Sequence, residues 1–194
     1  MCFLSYAAKV LLFCLFLGMR IILYIVGFIL SCLLGFLLFG LFKPVITYDI
    51  SLQINRPIAK CWTVYQTDSL KSKWMPGYLR TTLLTGTANA VGSKNTIFYQ
   101  SAEQETSMIQ TIDSLINESL IAYTIDNSSM HIRSHIRFTE SAANACIIQI
   151  HNEVTANNIF LKSLLTFMKA KFESAEQANY QNLKTLIESK EVEE

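Results

Sequence analysis

Hydrophobic and polar positions divide the chain into two parts. From Ile21 to Phe42, 22 consecutive residues carry no charge. A helix of this length extends about 33 Å at 1.5 Å per residue, which is enough to cross a hydrocarbon core about 30 Å thick. Because a helix satisfies its backbone hydrogen bonds internally, a single segment can cross alone. The pattern predicts a transmembrane helix at about residues 21–42, within an N-terminal membrane anchor of residues 1–43.

Three other interpretations of this segment stay open. A cleaved signal peptide has a shorter apolar region and a small-residue cleavage site, and no clean site is present here. Residues 29–32, Ile-Leu-Ser-Cys, resemble a lipoprotein box, although the next ten residues remain apolar. A helical hairpin would need a turn near residues 18–20, where Pro and Asn are both absent. We expect residues 1–20 to extend the same helix or to lie at the membrane interface.

The flanking charges do not decide the orientation of the predicted span. Lys9 and Arg20 precede it, and Lys43, Arg56 and Lys60 follow it within twenty residues. The positive-inside rule counts only such flanking charges, and two against three gives no preference. The sequence therefore predicts a single-pass membrane protein, with the side of the membrane undetermined.

A pattern typical of a soluble domain begins after residue 43. Residues 48–54 alternate between apolar and polar, which is the period of a half-buried strand. Six further segments, rich in β-branched and aromatic residues and separated by turn residues, favour an antiparallel meander. The predicted strands are residues 48–54, 79–85, 94–101, 104–113, 118–126, 130–139 and 145–155.

Three helical segments complete this second part. Apolar residues at helical spacing follow Pro57, and a second short helix covers about residues 69–75. From about residue 158 to 188, one broad apolar stripe predicts a long C-terminal helix. Two short helices, a seven-stranded antiparallel sheet and a long helix packed on it make an α+β domain of residues 44–194.

Composition narrows the function classes. Only two of the 16 Lys and Arg residues precede residue 43, and all 15 Asp and Glu residues follow it, so the domain has a net charge of −1. A domain without a basic excess does not favour nucleic-acid binding. The five cysteines form no C-x-x-C pair, so neither a zinc site nor a disulfide framework is indicated. We predict no cofactor, and the oligomeric state is not predicted.

Four short segments of the domain look familiar in this order of elements. Residues 50–62, ISLQINRPIAKCW, resemble a first strand followed by a P-x-x-x-V-W motif, with Cys61 where Val is usual. Residues 73–77, 86–94 and 182–188 resemble a second short helix, a hairpin between strands 2 and 3, and the end of a last helix. These segments and their order resemble the helix-grip fold of the SRPBCC superfamily, which includes START lipid-transfer domains, polyketide cyclase-like proteins and the birch pollen allergen group. The resemblance implies a cavity for apolar or amphipathic molecules between the sheet and the long helix.

No catalytic motif of a hydrolase, metalloprotease or nucleotide-binding enzyme is present. Pairing Glu140 with Asn144 would place His135 opposite Gln149, with His131, His151 and Glu153 on the same sheet face. That face lies opposite the apolar set, so we interpret these side chains as solvated cross-strand pairs and predict no metal site.

Three functions follow. The leading hypothesis is a membrane-tethered module that binds a lipid, quinone or similar molecule; the others are a polyketide cyclase or aromatase-type enzyme, and an interaction domain with a collapsed cavity. Polar orienting groups are expected among apolar walls, and Gln110 and Tyr99 are further candidates for an enzyme. The predicted ligand contacts are four strand residues, four helix residues, two rim aromatics and two amides: Ile132, Ile136, Ile148, Ile150; Leu161, Leu165, Met168, Phe172; Trp74, Phe160; Asn152, Asn179.

Overall fold

The computed structural model describes residues 2–42, 45–101, 104–142 and 144–189. These residues form four helices and seven strands. In chain order the elements are α1 (Cys2–Phe42), β1 (Val45–Ile54), α2 (Ile58–Gln66), α3 (Asp68–Trp74), β2 (Tyr78–Thr85), β3 (Lys94–Ser101), β4 (Gln104–Ile116), β5 (Leu120–Asp126), β6 (Met130–Ala142), β7 (Ala145–Ala156) and α4 (Ile159–Glu188).

Helix α1 is continuous through residues 18–20, so the structure does not contain the helical hairpin considered above. Its part from Gly18 to Phe42 is long and apolar enough to cross a membrane. The predicted span of residues 21–42 lies inside this part. Large apolar side chains here face outward, as in Tyr24 and Phe28, which are 76% and 71% exposed.

The sheet confirms the predicted fold class. Its seven strands are antiparallel in the order β1-β7-β6-β5-β4-β3-β2, so β2 to β7 form a meander and β1 adds to β7. Buried and exposed side chains alternate along all of β1, as the sequence pattern requires. Helix α4 lies across one face. It is capped at its N-terminus by Asn158, whose side chain accepts a hydrogen bond from the backbone N–H of Leu161 at 2.8 Å.

The predicted register of β6 and β7 is wrong by two residues. Glu140 pairs with Cys146, and the strands stay paired as far as Ala142 and Ala145, with an irregularity between Glu140 and Ala142. His135 therefore faces His151 instead of Gln149. A two-residue shift keeps every side chain on its predicted face, because side chains alternate with a period of two.

Helix α4 divides the space beneath the sheet into two parts. It rests directly on β1 and β7, and α2 covers the ends of β6 and β7. We call β1, β6 and β7 with the helices on them the packed half, and β2 to β5 the cavity half. Ile136, Ile148 and Ile150 of the packed half are at most 1% exposed.

Two cysteines correct the expectation that the sequence indicates no disulfide. Cys61 at the buried face of α2 and Cys146 near the start of β7 form a disulfide bond. They are 85 residues apart in the chain, so no local spacing pattern reveals them. The pairing exists because the fold places α2 over that end of β7.

Candidate ligand-binding cavity

A cavity of about 420 Å³ lies in the cavity half. Its walls come from the end of α2, from α3, from β2 to β5 with the loop after β2, and from the C-terminal half of α4. Of the 23 lining residues, 14 are apolar or aromatic and nine are polar or charged, so the wall combines apolar surface with groups that can orient a ligand. The strand residues facing it include Asn95, Ile97 and Tyr99 of β3, Gln110, Ile112 and Leu115 of β4, and Ile121, Tyr123 and Ile125 of β5.

Strand geometry explains why these residues share one face. In β3 and β5 the lining positions are separated by two residues, which is the period of a strand. Strand β4 departs from this rule between Ile112 and Leu115. The pairing of β4 with β5 shifts between Ile112 and Ser114, and this irregularity turns Leu115 toward the cavity.

Glu176 of α4 places a carboxyl group on the cavity wall. Its Oε2 atom accepts hydrogen bonds from the hydroxyl of Tyr48 at 2.5 Å and from Nδ2 of Asn152 at 2.7 Å. Burial raises the pKa of Glu176, and these two hydrogen bonds only partly offset that effect. Burial, and then the charge of Glu176, raise the pKa of Tyr48 as well. The site thus holds a partly buried carboxyl group whose pKa is raised.

Four phenol groups extend this polar region. The hydroxyls of Tyr65, Tyr123 and Tyr180 interact with one another, and Tyr99 lies on the same wall. Burial is the largest cause that raises the pKa of each of the four. These phenols remain protonated at neutral pH and offer hydrogen bonds to a ligand.

A charged cluster marks the edge of the cavity at α3. Asp68, which is exposed, pairs with Lys71 at 3.0 Å and accepts a hydrogen bond from the hydroxyl of Tyr78 at 2.5 Å. Burial would raise the pKa of Asp68, but the bonds from Tyr78 and Lys71 outweigh it and hold the pKa below its usual value. Deeper in the wall, Trp74 is 3% exposed, and its indole N–H has no hydrogen-bond partner among the described residues. A ligand or a water molecule can accept from this group.

A match to a known protein family agrees with the cavity described above. A family model described as "Polyketide cyclase / dehydrase and lipid transport" matches residues 46–188. The chain belongs to this family. It is accordingly a member of the SRPBCC superfamily, as the resemblance implied, and its family is associated with binding hydrophobic small molecules. A search of curated proteins gives no significant match.

Solved structures of this superfamily show the same fold. The Zhui aromatase/cyclase from Streptomyces sp. R1128 superposes with a TM-score of 0.61 at 12% identity, covering 74% of this chain and 94% of that one. Ara h 8.0201 gives 0.59 at 14% identity, covering 74% and 97%. Norcoclaurine synthase from Thalictrum flavum, solved with dopamine and hydroxybenzaldehyde, gives 0.55 at 14% identity, covering 77% and 90%. At these identities the likeness shows the fold alone.

The structure brings only two of the twelve predicted ligand contacts to this family member's cavity. These two are Trp74 and Asn179. Five others lie buried in the packed half, four are partly buried, and Phe160 is exposed beside Phe36 of α1. Asn152 acts on the cavity indirectly, since it holds Glu176. For the ten residues outside the wall, ligand contact stays a prediction: Ile136, Ile148, Ile150, Asn152, Leu165; Ile132, Leu161, Met168, Phe172; Phe160.

Sequence reasoning missed the carboxyl group and most of the phenols. Glu176 interrupts the apolar stripe of α4 between Phe172 and Leu183, and Tyr180 follows it by one turn. A charged residue inside an apolar stripe is a signal that was available, because such a residue needs a buried partner. Gln110 and Tyr99, considered above for an enzyme, do line the cavity. Among the described residues, no group of three His, Cys, Asp or Glu side chains is placed to hold a metal ion.

Proposed function

We propose that the protein is a membrane-tethered module that binds an apolar or amphipathic small molecule, such as a lipid or quinone. The observation that carries this proposal is the open cavity, in whose wall apolar and aromatic residues outnumber polar ones. A cavity of about 420 Å³ also argues against the collapsed interaction domain. In this proposal residues 1–43 are the anchor and residues 44–194 the binding domain.

The apolar N-terminal helix supports the tether. The most apolar stretch of α1 between Gly18 and Phe42 is not buried inside the protein. Its surface therefore lacks the protein contacts that cover a core helix. A bilayer would cover it. A tether raises the effective concentration of the domain beside molecules dissolved in the membrane.

Two measurements on the full-length protein test the proposal. Native mass spectrometry after mild detergent extraction should detect a small molecule bound to the protein. Extraction of membranes with high-salt and alkaline buffers should leave the protein in the pellet. A protein that washes off would contradict the tether, and one that neither retains a small molecule nor takes up an apolar fluorescent probe would contradict the binding function.

A second candidate is an enzyme that acts on its ligand by acid–base chemistry. Glu176 favours it, because a partly buried carboxyl group with a raised pKa beside phenol groups is suited to proton transfer. Glu176→Gln would then abolish turnover of a molecule that wild type converts. Incubation of the co-purified molecule with wild type and variant, followed by mass spectrometry, distinguishes an enzyme from a binding module.

A further inference from the structure

We propose that the cavity selects a ligand that carries a protonated amine, and that this amine pairs with the carboxylate of Glu176; the inference rests on the proposed binding function. Among the described residues, Tyr48 and Asn152 donate hydrogen bonds to Glu176, and both bonds end on the same oxygen, Oε2. Neither donor engages the other oxygen, Oε1. The carboxylate is therefore held in place and retains an oxygen for a ligand.

The cavity supplies no cation of its own to this carboxylate. Within the described parts of the chain, no Lys, Arg or His forms an ion pair with Glu176, and no cation contributes to its pKa. Lys71, on the same wall, is paired with Asp68. A charge taken out of water is costly unless an opposite charge accompanies it. A ligand ammonium group provides that charge.

The walls around Glu176 suit the rest of such a ligand. Tyr65, Tyr99, Tyr123, Tyr180 and Trp74 surround the space with aromatic rings. Aromatic faces attract ammonium groups, and they also pack against an apolar or aromatic body. An amine attached to an aromatic or aliphatic body thus matches both the charge and the surface of the cavity.

Tryptamine and tryptophol form a matched pair of probes, since they share an indole ring and differ in an amine or a hydroxyl group. We expect full-length protein in lipid nanodiscs to bind tryptamine about tenfold or more tightly than tryptophol by isothermal titration calorimetry. Glu176→Gln should remove this preference, because glutamine keeps the shape and loses the charge. Glu173→Gln on the same helix, outside the cavity wall, is the control and should retain the preference.

The pH dependence provides an independent readout. The preference for tryptamine should increase as pH rises through the pKa of Glu176, since the ionised form binds the amine. The phenols that interact with Glu176, namely Tyr48, Tyr99, Tyr123 and Tyr180, all have raised pKa values and do not titrate in this range. Asp68, the other carboxylate of the wall, has a lowered pKa, and Asp68→Asn separates its contribution.

Each outcome has one meaning. Equal binding of the two probes to wild type would overturn the amine preference and leave the binding function standing. Loss of the preference in Asp68→Asn but not in Glu176→Gln would overturn the role of Glu176. Binding of neither probe would count against both proposals. Retained tryptophol binding by Glu176→Gln shows that the variant is folded.

A different observation carries a second inference, which rests on the proposed tether: we infer that the first half of α4 inserts into the membrane surface beside α1. The rings of Phe36 and Phe167 stack with centroids 6.0 Å apart, and Phe36 meets Phe160 edge-on at 5.6 Å. The helices approach closely at Gly40. A Cβ atom there would lie 2.7 Å from the backbone nitrogen of Ser163, so only glycine fits.

These contacts with α1 determine how deep the first half of α4 would lie in the membrane. Phe36 lies six residues before the end of α1, which is about 9 Å along the helix axis. The apolar part of α1, from Gly18 to Phe42, is about 7 Å longer than a hydrocarbon core of about 30 Å. Phe36 therefore lies near or inside the edge of the hydrocarbon, and Phe167 must share its depth.

The surface of α4 fits this environment. Phe160 and Phe167 remain 54% and 68% exposed despite their contacts with α1. Lys162 and Lys169 each follow one of these rings by two residues, which is about 200° round the helix, so they lie on the opposite side of the same half of α4. Apolar rings on one side of a helix and lysines on the other are typical of a helix that lies at a bilayer surface.

Quenching of tryptophan by lipids brominated in the acyl chain tests this placement. Phe167→Trp in full-length protein reconstituted into such vesicles should show quenched emission beyond that of wild type, whose two tryptophans are buried. Gln177→Trp, exposed on the second half of α4, is the matched control and should show no added quenching. Equal quenching of the two variants would overturn the insertion. Protein that fails to enter the vesicles would instead contradict the tether.

Discussion

The packed half and the cavity half of the domain belong to one sheet but are built differently. In the packed half α4 lies directly on β1 and β7, and inward residues such as Ile148 are fully buried. In the cavity half the inward residues of β3 to β5 alternate between apolar side chains and Tyr99, Gln110 or Tyr123. Inward positions are thus mostly apolar in strands that contact the helix, with Asn152 of β7 as a buried exception, and mixed in strands that line a space.

The comparison also bears on the predicted ligand contacts, most of which lie outside the wall of the observed cavity. The strands with the clearest apolar pattern, β6 and β7, supply five of these predicted contacts. Their inward side chains fill the space against the helices, at the density usual for protein interiors. The open space instead lies beneath β2 to β5, whose inward side chains include polar and aromatic ones.

The largest expected difference between the halves is in stability. Ile148→Ala should lower the free energy of unfolding by about 2–5 kcal/mol, because it creates a new cavity in a packed region. Ile125→Ala should cost clearly less, about 1 kcal/mol, because Ile125 already borders open space. Urea unfolding in detergent, followed by tryptophan fluorescence, measures both. Equal losses would mean that the two halves are packed alike.

Filling the cavity should show that ligand uptake depends on the cavity half of the domain. Ile125→Trp should abolish uptake of an apolar fluorescent probe while the circular dichroism spectrum stays native, because the new ring occupies the cavity. Replacing His131, His135 and His151 together with Ala should leave uptake intact, since these residues lie on the outer face of the sheet. Undiminished uptake by Ile125→Trp would place the binding site elsewhere.

Glu176, which lies between the packed half and the cavity half, should make the free energy of unfolding depend on pH. Its raised pKa means that the folded state binds its proton more tightly than the unfolded state. Its contribution to stability is complete below the usual value of 4.5 and is lost as pH rises through the higher folded pKa. Without ligand, Glu176→Gln should flatten this decline in the free energy of unfolding. An unchanged decline would assign it to another group.

The smallest expected effect is on the outer face of the packed half. A hydrogen bond from His151 to Asp49, at 2.7 Å, raises the pKa of His151. Asp49→Asn should lower this pKa, as measured by NMR titration, while the free energy of unfolding changes by less than about 0.5 kcal/mol, because the pair is exposed. A pKa that stays raised would show that another carboxylate, such as Glu153, is responsible.

Local patterns predicted the elements because their causes are local. Alternation along residues 48–54 and the apolar stripe of α4 depend on neighbours within a few residues, and each strand was found within a few positions of its predicted bounds. The β6–β7 register was less secure. Side chains of a strand alternate between the two faces of the sheet with a period of two, so a register shifted by two residues gives the same pattern of faces. Only the pairing of the strands as far as Ala142 and Ala145 distinguishes the two registers.

The sequence by itself determined the apolar helix, the seven-stranded sheet with its long helix, and the absence of a common catalytic motif, because these follow from hydrophobicity and spacing along the chain. Only the tertiary structure decided the site. Glu176 meets Tyr48 across 128 residues and Asn152 across 24, and Cys61 meets Cys146 across 85. No periodicity connects positions so far apart, because their contact depends on how α2 and α4 pack on the folded sheet.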